Sequence, residues 1–299
     1  MRRKTALAGY GAALGSALLV GLFTVMNKWI LVEAVPALTA GAWTYFVAGL
    51  ALLPWAIRAG GLRFSRRRVA ALWLLTGSVL GPILYFLGLA LTSGIQGVLL
   101  INLEAVFTAV LAFALFHERL TALGLWASAA IVAGATWLSW PSHGGALWAG
   151  TSLGNLLIGL GYLAWGAENN LGRVLGEEVP AVTLVCVKAL VAGFVMGGLA
   201  AAFGQPLRVA WHVIPGIVAS GVLSLGLSLA LFYAAMRHIG AGRTGLISST
   251  SVLWGVLGSM SILREPLTLH VVSGGLLMLT GMAGFVRESV LSFRRETDA

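Results

Sequence analysis

A few polar residues stand inside long apolar runs of this 299-residue chain, and their types limit the chemistry open to it. Glu104 lies near the middle of the run Val98–Phe116. A carboxylate at mid-bilayer depth costs about 2.5–3.5 kcal/mol on insertion scales, so it faces protein or water, not lipid. Such a group suits a substrate ammonium or an exchangeable proton; as a purely structural residue it would be protonated or ion-paired. Thr108, one turn on, shares its face. Asn102, two positions back, points elsewhere and suits a bond to a neighbouring helix. Lys188 sits roughly 12 Å inside a later run at helical rise. Snorkelling to water and a cavity role are equally open to it, with Glu104 as candidate partner. Tyr162, Trp165, Glu168 and Asn169 recur at spacings of three and four on one broad helical face, with Glu168 close enough to the helix end to be wetted. Aromatic rings beside polar termini suit a flat amphiphilic solute, although such rings also serve as packing and interfacial belts. Tyr85 follows Pro82, whose missing N–H frees a carbonyl and can bend its helix toward a cavity. Ser248, Ser251, Gly255 and Gly258 make a stripe that reads first as close helix packing, as do the GxxxG pairs 11/15, 77/81 and 193/197. Lys28, beside Asn27, reads as an interfacial anchor.

Other chemistries find no support. Gly150-Thr151-Ser152-Leu153-Gly154 fits G-x-S-x-G, but it opens an apolar helix where that motif requires a strand-to-helix turn and His and acid partners. The five histidines show no metal-ligand spacing, and no phosphate loop is present, so no metal, cofactor or direct use of ATP is expected. An intramembrane enzyme is the remote alternative. Cys186 is the single cysteine and has no intrachain partner.

The elements that must hold these residues follow from composition. The chain is 59% hydrophobic and 10% charged, against roughly 25% charged in soluble domains; mean hydropathy is +0.93. That excludes a soluble globule, a disordered chain and a coiled coil. Continuous apolar runs without alternation exclude a membrane β-barrel. About 20 residues of helix cross a bilayer core, and the runs 6–31, 37–57, 69–90, 95–116, 121–139, 150–174, 181–203, 210–236, 243–263 and 268–286 meet that length. The opening Met1-Arg2-Arg3-Lys4 resembles a signal-peptide start, but the apolar run continues to Met26 and reads as a retained first span. With that end inside, 15 of the 19 Lys and Arg fall on the inside, all but Lys28, Lys188, Arg208 and Arg264. This bias places both termini in the cytoplasm, and the net charge of +9 then calls for no nucleic-acid partner.

The chain also repeats. Leu84–Trp137 aligns without a gap to Leu231–Gly284 at an offset of 147, and Glu33-Ala34-Val35-Pro36 matches Glu177-Glu178-Val179-Pro180 at an offset of 144. The expected fold is therefore an all-α polytopic membrane protein of ten transmembrane helices in two five-helix repeats, residues 1–141 and 142–299. An odd number of spans per repeat inverts the second copy, the common construction of secondary transporters. The paired segments Glu118-Arg119-Leu120-Thr121 and Glu265-Pro266-Leu267-Thr268 read as hairpin closures, with Thr121 and Thr268 as N-caps.

Tyr85-Phe86-Leu87-Gly88-Leu89-Ala90-Leu91, Leu103-Glu104-Ala105-Val106-Phe107 and the two Glu-x-Leu-Thr segments resemble the EamA domain of the drug/metabolite transporter superfamily, present twice over nearly the whole chain. The resemblance implies a ten-helix carrier of the bacterial inner membrane, often an exporter of amino acids or other small organic solutes. Many members carry a proline after the span-4 glutamate; here Ala105 and, in the second copy, Val252 stand there. The expected function is export of a small amphiphilic, amino-acid-like metabolite by alternating access, with the bilayer as surroundings and protons as candidate coupling ion. An importer or facilitative channel of the same fold is the alternative.

Overall fold

The computed structural model describes residues 2–61, 64–116, 121–140 and 150–297. Glu118 and the boundary between residues 141 and 142 lie outside the described residues. The described residues form helices and connections, with no strand among them. The rods are α1 (Arg2–Val32), α2 (Ala37–Ala59), α3 (Arg67–Leu91), α4 (Gly94–Phe116), α5 (Ala122–Ser139), α6 (Gly150–Leu175), α7 (Ala181–Ala202), α8 (Trp211–Ile239), α9 (Ala241–Ser248 and Ser251–Ile262) and α10 (Leu269–Thr297). Among the described residues, nine helices, all but α6, are long and apolar enough to cross a membrane. The α6 helix is 26 residues long but carries Asn155, Glu168, Asn169 and Asn170, which lower its hydropathy.

Helix ends fall where the backbone demands them. Pro36 and Pro180 precede α2 and α7, where a missing N–H leaves no ladder bond unmade. Gly60 (φ 69°) and Gly240 (φ 83°) terminate α2 and α8 in the left-handed region that favours glycine. Thr121 and Thr268 cap α5 and α10, accepting from Gly124 N (3.1 Å) and Val271 N (3.3 Å). The last helix runs well past its expected end at residue 286, because neither proline nor glycine interrupts residues 287–297.

Two rods widen and two break. Leu75–Leu80 in α3 and Ala219–Leu227 in α8 are π turns. In the π register each N–H bonds five residues back, and Gly81 N donates to Thr76 O. The next carbonyl, that of Gly77, would need the N–H of Pro82, which has none. It accepts instead from Trp165 Nε1 on α6 (3.3 Å). Breaks without proline interrupt α4 at Ile101 and α9 at Ser249–Thr250. Side chains take carbonyls there: Asn102 Nδ2 donates to Leu99 O (2.8 Å), and the Ser249 and Thr250 hydroxyls donate to Leu246 and Ile247 O (2.7 Å each). Asn102 thus serves its own helix, in place of the neighbouring one expected from its position.

The rods pack α2 on α7, α5 on α10, α3 and α4 on α6, and α1 on both α8 and α9. Backbones come close at several of these crossings. A β-carbon on Gly88 would fall 2.5 Å from Gly154 O, and one on Gly21 would fall 2.2 Å from Ser251 O. The expected GxxxG packing divides: Gly77 and Gly81 press on α6 and Gly193 on Phe46, whereas Gly11 meets nothing. Large apolar side chains such as Leu125, Phe194, Leu257 and Leu276 remain exposed around the bundle, as lipid-facing positions require.

Candidate functional site

A cavity of about 440 Å³ lies between α1, α2, α4, α6, α7, α8 and α9, a size suited to a small organic molecule. Its walls are stripes at helical spacing: Ser16, Val20 and Thr24 of α1; Tyr45, Ala48 and Leu52 of α2; Val185, Lys188 and Ala189 of α7; Ser224, Ser228 and Phe232 of α8. Glu104 and Ile101 of α4, Tyr162 and Trp165 of α6 and Ser248 of α9 complete it. The π turn of α8 ends beside this wall, and the hydroxyl of Ser228 bonds Ser224 O (2.5 Å).

The charges of the site are arranged in a chain. Lys188 Nζ lies 2.5 Å from Glu168 Oε2, and Trp73 Nε1 donates to Glu168 Oε1 (3.0 Å). Glu168 is 8% exposed, so it is sequestered instead of wetted. Gly77 admits it: a β-carbon there would sit 2.3 Å from Glu168 Cγ. The cation of Lys188 therefore pairs with Glu168, and not with Glu104, the candidate partner. Glu104 accepts from Asn169 Nδ2 (2.8 Å), which also lies 3.2 Å from Thr108 Oγ1. Glu104 is shared by a second cavity of about 600 Å³ that includes Thr108, Asn169, Asn170 and Arg173.

The remaining expected residues have distinct places. Tyr85 is fully buried outside the cavity lining; its hydroxyl is 2.9 Å from Thr24 Oγ1, and its ring lies 5.3 Å from that of Trp165 and 6.1 Å from that of Tyr162. It backs the cavity wall. Ser251 is buried beside α1, outside the lining, while Ser248 belongs to the lining and Gly258 packs on Leu22 and Val25. Asn102 is likewise outside the lining. Thr24, Tyr45, Ser224 and Trp73 escaped the sequence reading. Their helical stripes of hydroxyls and rings are a signal in principle, but helix packing in membranes uses the same residue types.

The ends of the helices opposite the basic segments are closed. Glu265 reaches from the connection after α9 to the first amides of α4, Gly94 N (2.6 Å) and Ile95 N (2.8 Å). Its side chain caps a helix of the other half of the chain, while its own amide closes the turn after α9 by donating to Ser259 O (3.3 Å), and Arg264, with φ 55°, shapes that turn. Lys28 Nζ donates to Leu89 O (3.0 Å) at the end of α3, so it ties two helices together and is not a free interfacial anchor. Thr92, Gln96 and Asn155 form a buried hydrogen-bonded cluster beside it. Toward the basic side, Glu178 accepts from the Ser65 hydroxyl (2.6 Å) and amide (3.0 Å) with Arg66 Nε at 3.5 Å, and these partners hold its carboxyl below the usual carboxylate range. On the same side the Thr121 cap of α5 donates to Glu288.

Comparison with known proteins agrees with this architecture. The model of the EamA-like transporter family matches residues 7–140 and again 152–287. An uncharacterized transporter of Methanothermobacter thermautotrophicus is 26% identical over an aligned length of 299, covering 94% of this chain and 86% of that protein. A protein of known crystal structure superposes with a TM-score of 0.64 at 20% identity, over 99% of this chain and 100% of that one, a likeness of fold.

Proposed function

The chain belongs to the EamA-like transporter family, and we propose that it is a secondary carrier exporting a small amphiphilic, amino-acid-like solute by alternating access. The multi-pass bundle then has ten spans, α6 being the tenth, in two inverted units, residues 1–141 and 142–299. Two observations support the inversion. Exchanging the first five helices for the last five carries the packing onto itself: α2 on α7 and α5 on α10 each return, α3 on α6 becomes α8 on α1, and α4 on α6 becomes α9 on α1. Irregularities recur at matching places, with π turns beginning at Leu75 and Ala219 and breaks at Ile101 and Ser249. Five spans per unit turn the second unit over, and two such units exchanging conformations open a cavity alternately to either side.

In this reading the membrane is the bacterial inner membrane, and the basic segments and both termini are cytoplasmic. Leu52, Trp165, Val185, Phe232 and Ser248 all line the cavity from the helix halves nearer the basic ends, while Glu265, Lys28 and the Thr92 cluster seal the opposite ends. This is an inward-facing arrangement.

The observation that carries the proposal is a mid-span carboxylate, Glu104, facing a cavity of about 440 Å³ built from both halves. Glu104 takes the ammonium of the solute, Lys188, bridged to Glu168, keeps further N–H donors for the solute's carboxylate, and Tyr45, Tyr162 and Trp165 take the apolar part. Tyr85 holds the rings in place, and Asn169 and Thr108 orient Glu104. Counterflow of labelled amino acids, nucleosides and polyamines in proteoliposomes tests this. Saturable exchange that weakens in Glu104→Gln is expected, whereas flux without exchange indicates a channel and overturns the carrier.

A further inference from the structure

Glu104 belongs to two cavities at once. One is the central cavity; the other is the second cavity of about 600 Å³, bounded by Ala105, Thr108, Ala109 and Ala112 of α4, Asn169, Asn170 and Arg173 of α6 and Phe285 of α10. The second is polar along one file. From Glu104 it passes Asn169, whose amide meets both Glu104 and Thr108, then Asn170, whose amide donates to Thr108 O (3.0 Å) and Gly166 O (2.9 Å), and it ends at Arg173 in the last turn of α6. Asn169 and Arg173 are both exposed. An exposed amide facing hydrocarbon would leave its remaining polar valences unmet. The crevice therefore suits water better than lipid.

From this we infer that the crevice between α4 and α6 is the path by which Glu104 releases its proton to the inner side, separate from the solute's inward-facing path, so that the arriving solute and the departing proton meet the same carboxyl on opposite faces. The inference rests on the carrier reading above. The step is a simple one: after the solute has left on the outer side, a proton from water of that side, reaching the emptied central cavity, forms an O–H bond on a Glu104 carboxylate oxygen. When the cavity faces inward again and the next ammonium arrives, that O–H bond breaks and the proton passes to crevice water on the inner side, with no other bond made or broken. The other ionisable groups around Glu104 are Lys188 on α7, Glu168, Tyr162 and Arg173 on α6 and Tyr45 on α2. Lys188 and Glu168 are already committed to one another at 2.5 Å. Neither lines the crevice, so the group that exchanges through it is Glu104.

Ala109 allows a test, since it lines the crevice and is absent from the central lining. Cys186, the only native thiol, is first replaced by alanine, and Ala109→Cys is introduced. Proteoliposomes are assayed for pH-driven accumulation and for solute counterflow at equal pH, before and after a bulky, water-soluble cationic thiosulfonate. Ala112→Cys, one turn on in the same wall, serves if the first variant does not fold. Reagent is expected to slow pH-driven accumulation by about tenfold or more and leave counterflow within about twofold, since exchange of solute for solute needs no proton release. A methyl-sized thiosulfonate should leave both intact. Loss of both activities, or of neither, overturns the separate path. Counterflow by the unmodified protein that ignores a pH gradient overturns it too while leaving the carrier standing; absence of any counterflow overturns the carrier itself.

Discussion

Lys188 holds Glu168, not Glu104: the ammonium lies 2.5 Å from Glu168 Oε2, and Trp73 occupies the other carboxylate oxygen at 3.0 Å. Both side chains are largely withdrawn from solvent, Lys188 at 22% and Glu168 at 10% exposure. Breaking such a pair leaves one charge buried alone, which costs about 3–5 kcal/mol, whereas removing both can be nearly neutral. Lys188→Met and Glu168→Gln singly are therefore expected to lower thermal stability in detergent strongly, and the double variant to recover most of it. Transport should not recover with it, because Lys188 also lines the cavity.

The register of α3 makes a coupled prediction. Trp165 donates to the Gly77 carbonyl that Pro82 cannot serve. Trp165→Phe leaves that buried acceptor unmet, at a cost of about 1–3 kcal/mol. Pro82→Ala restores an N–H in the π register, so Trp165→Phe should cost less in that background. Denaturation of the four proteins of the cycle gives the coupling energy, and equal costs in both backgrounds would contradict the role assigned to Pro82.

How much of this was legible in the chain follows from what each residue reports. Apolar run length marks nine of the ten expected spans among the described residues, because a helix must cover the hydrocarbon, and the repeat is read from several matches in the same order, Leu84–Trp137 with Leu231–Gly284 and Glu33–Pro36 with Glu177–Pro180. Glu104 stood out because depth alone makes a carboxylate costly. Depth does not give azimuth, however. Glu104 and Glu168 are both at heights that Lys188 can reach, and the choice between them rests on the contacts of Gly77, Trp73 and Glu168 across α3 and α6, which no spacing in the sequence states. The motif at Glu265 describes only the hairpin that its amide closes at Ser259 O, while its side-chain partners are 171 and 170 residues away.

Glu265 bears on which side of the bundle is shut. Its carboxylate satisfies two first-turn amides of α4, a charge-assisted contact between the halves. Glu265→Ala is expected to loosen the closed end, and Glu265→Gln, which keeps one acceptor, to loosen it less. A thiol at Ile95, 1% exposed in the closed arrangement, placed in a Cys186→Ala background should be labelled faster by an impermeant reagent in the order Ala, Gln, Glu. Equal rates would remove the latch.

Glu178 supplies a pH dependence on the other face. Its pKa is lowered by the Ser65 hydroxyl and amide and by Arg66, so the contribution of the contact is present above the unfolded carboxylate value and is lost as pH falls through the lower folded one. Protection of the Ser65 amide, measured against its intrinsic exchange rate at each pH, should fall over that acid window in the native protein, and Glu178→Gln should show the lower protection at neutral pH already.

Glycine positions separate close helix contact from mere sequence pattern. At Gly88 a β-carbon would lie 2.5 Å from Gly154 O and 2.8 Å from Ile158 N, both backbone atoms that cannot turn aside. Gly88→Ala must push α3 and α6 apart, and with them Gly77 from Glu168 and Trp165 from Gly77 O. Loss of folded protein, or of transport in what folds, is expected. Gly198 and Gly11 have nothing within 4 Å of such a carbon, and both lie inside helices. Alanine there should be tolerated and raise stability by up to about 1 kcal/mol through helix propensity. A melting series of the three variants distinguishes these outcomes, and a tolerated Gly88→Ala would mean that α3 and α6 do not cross at backbone contact.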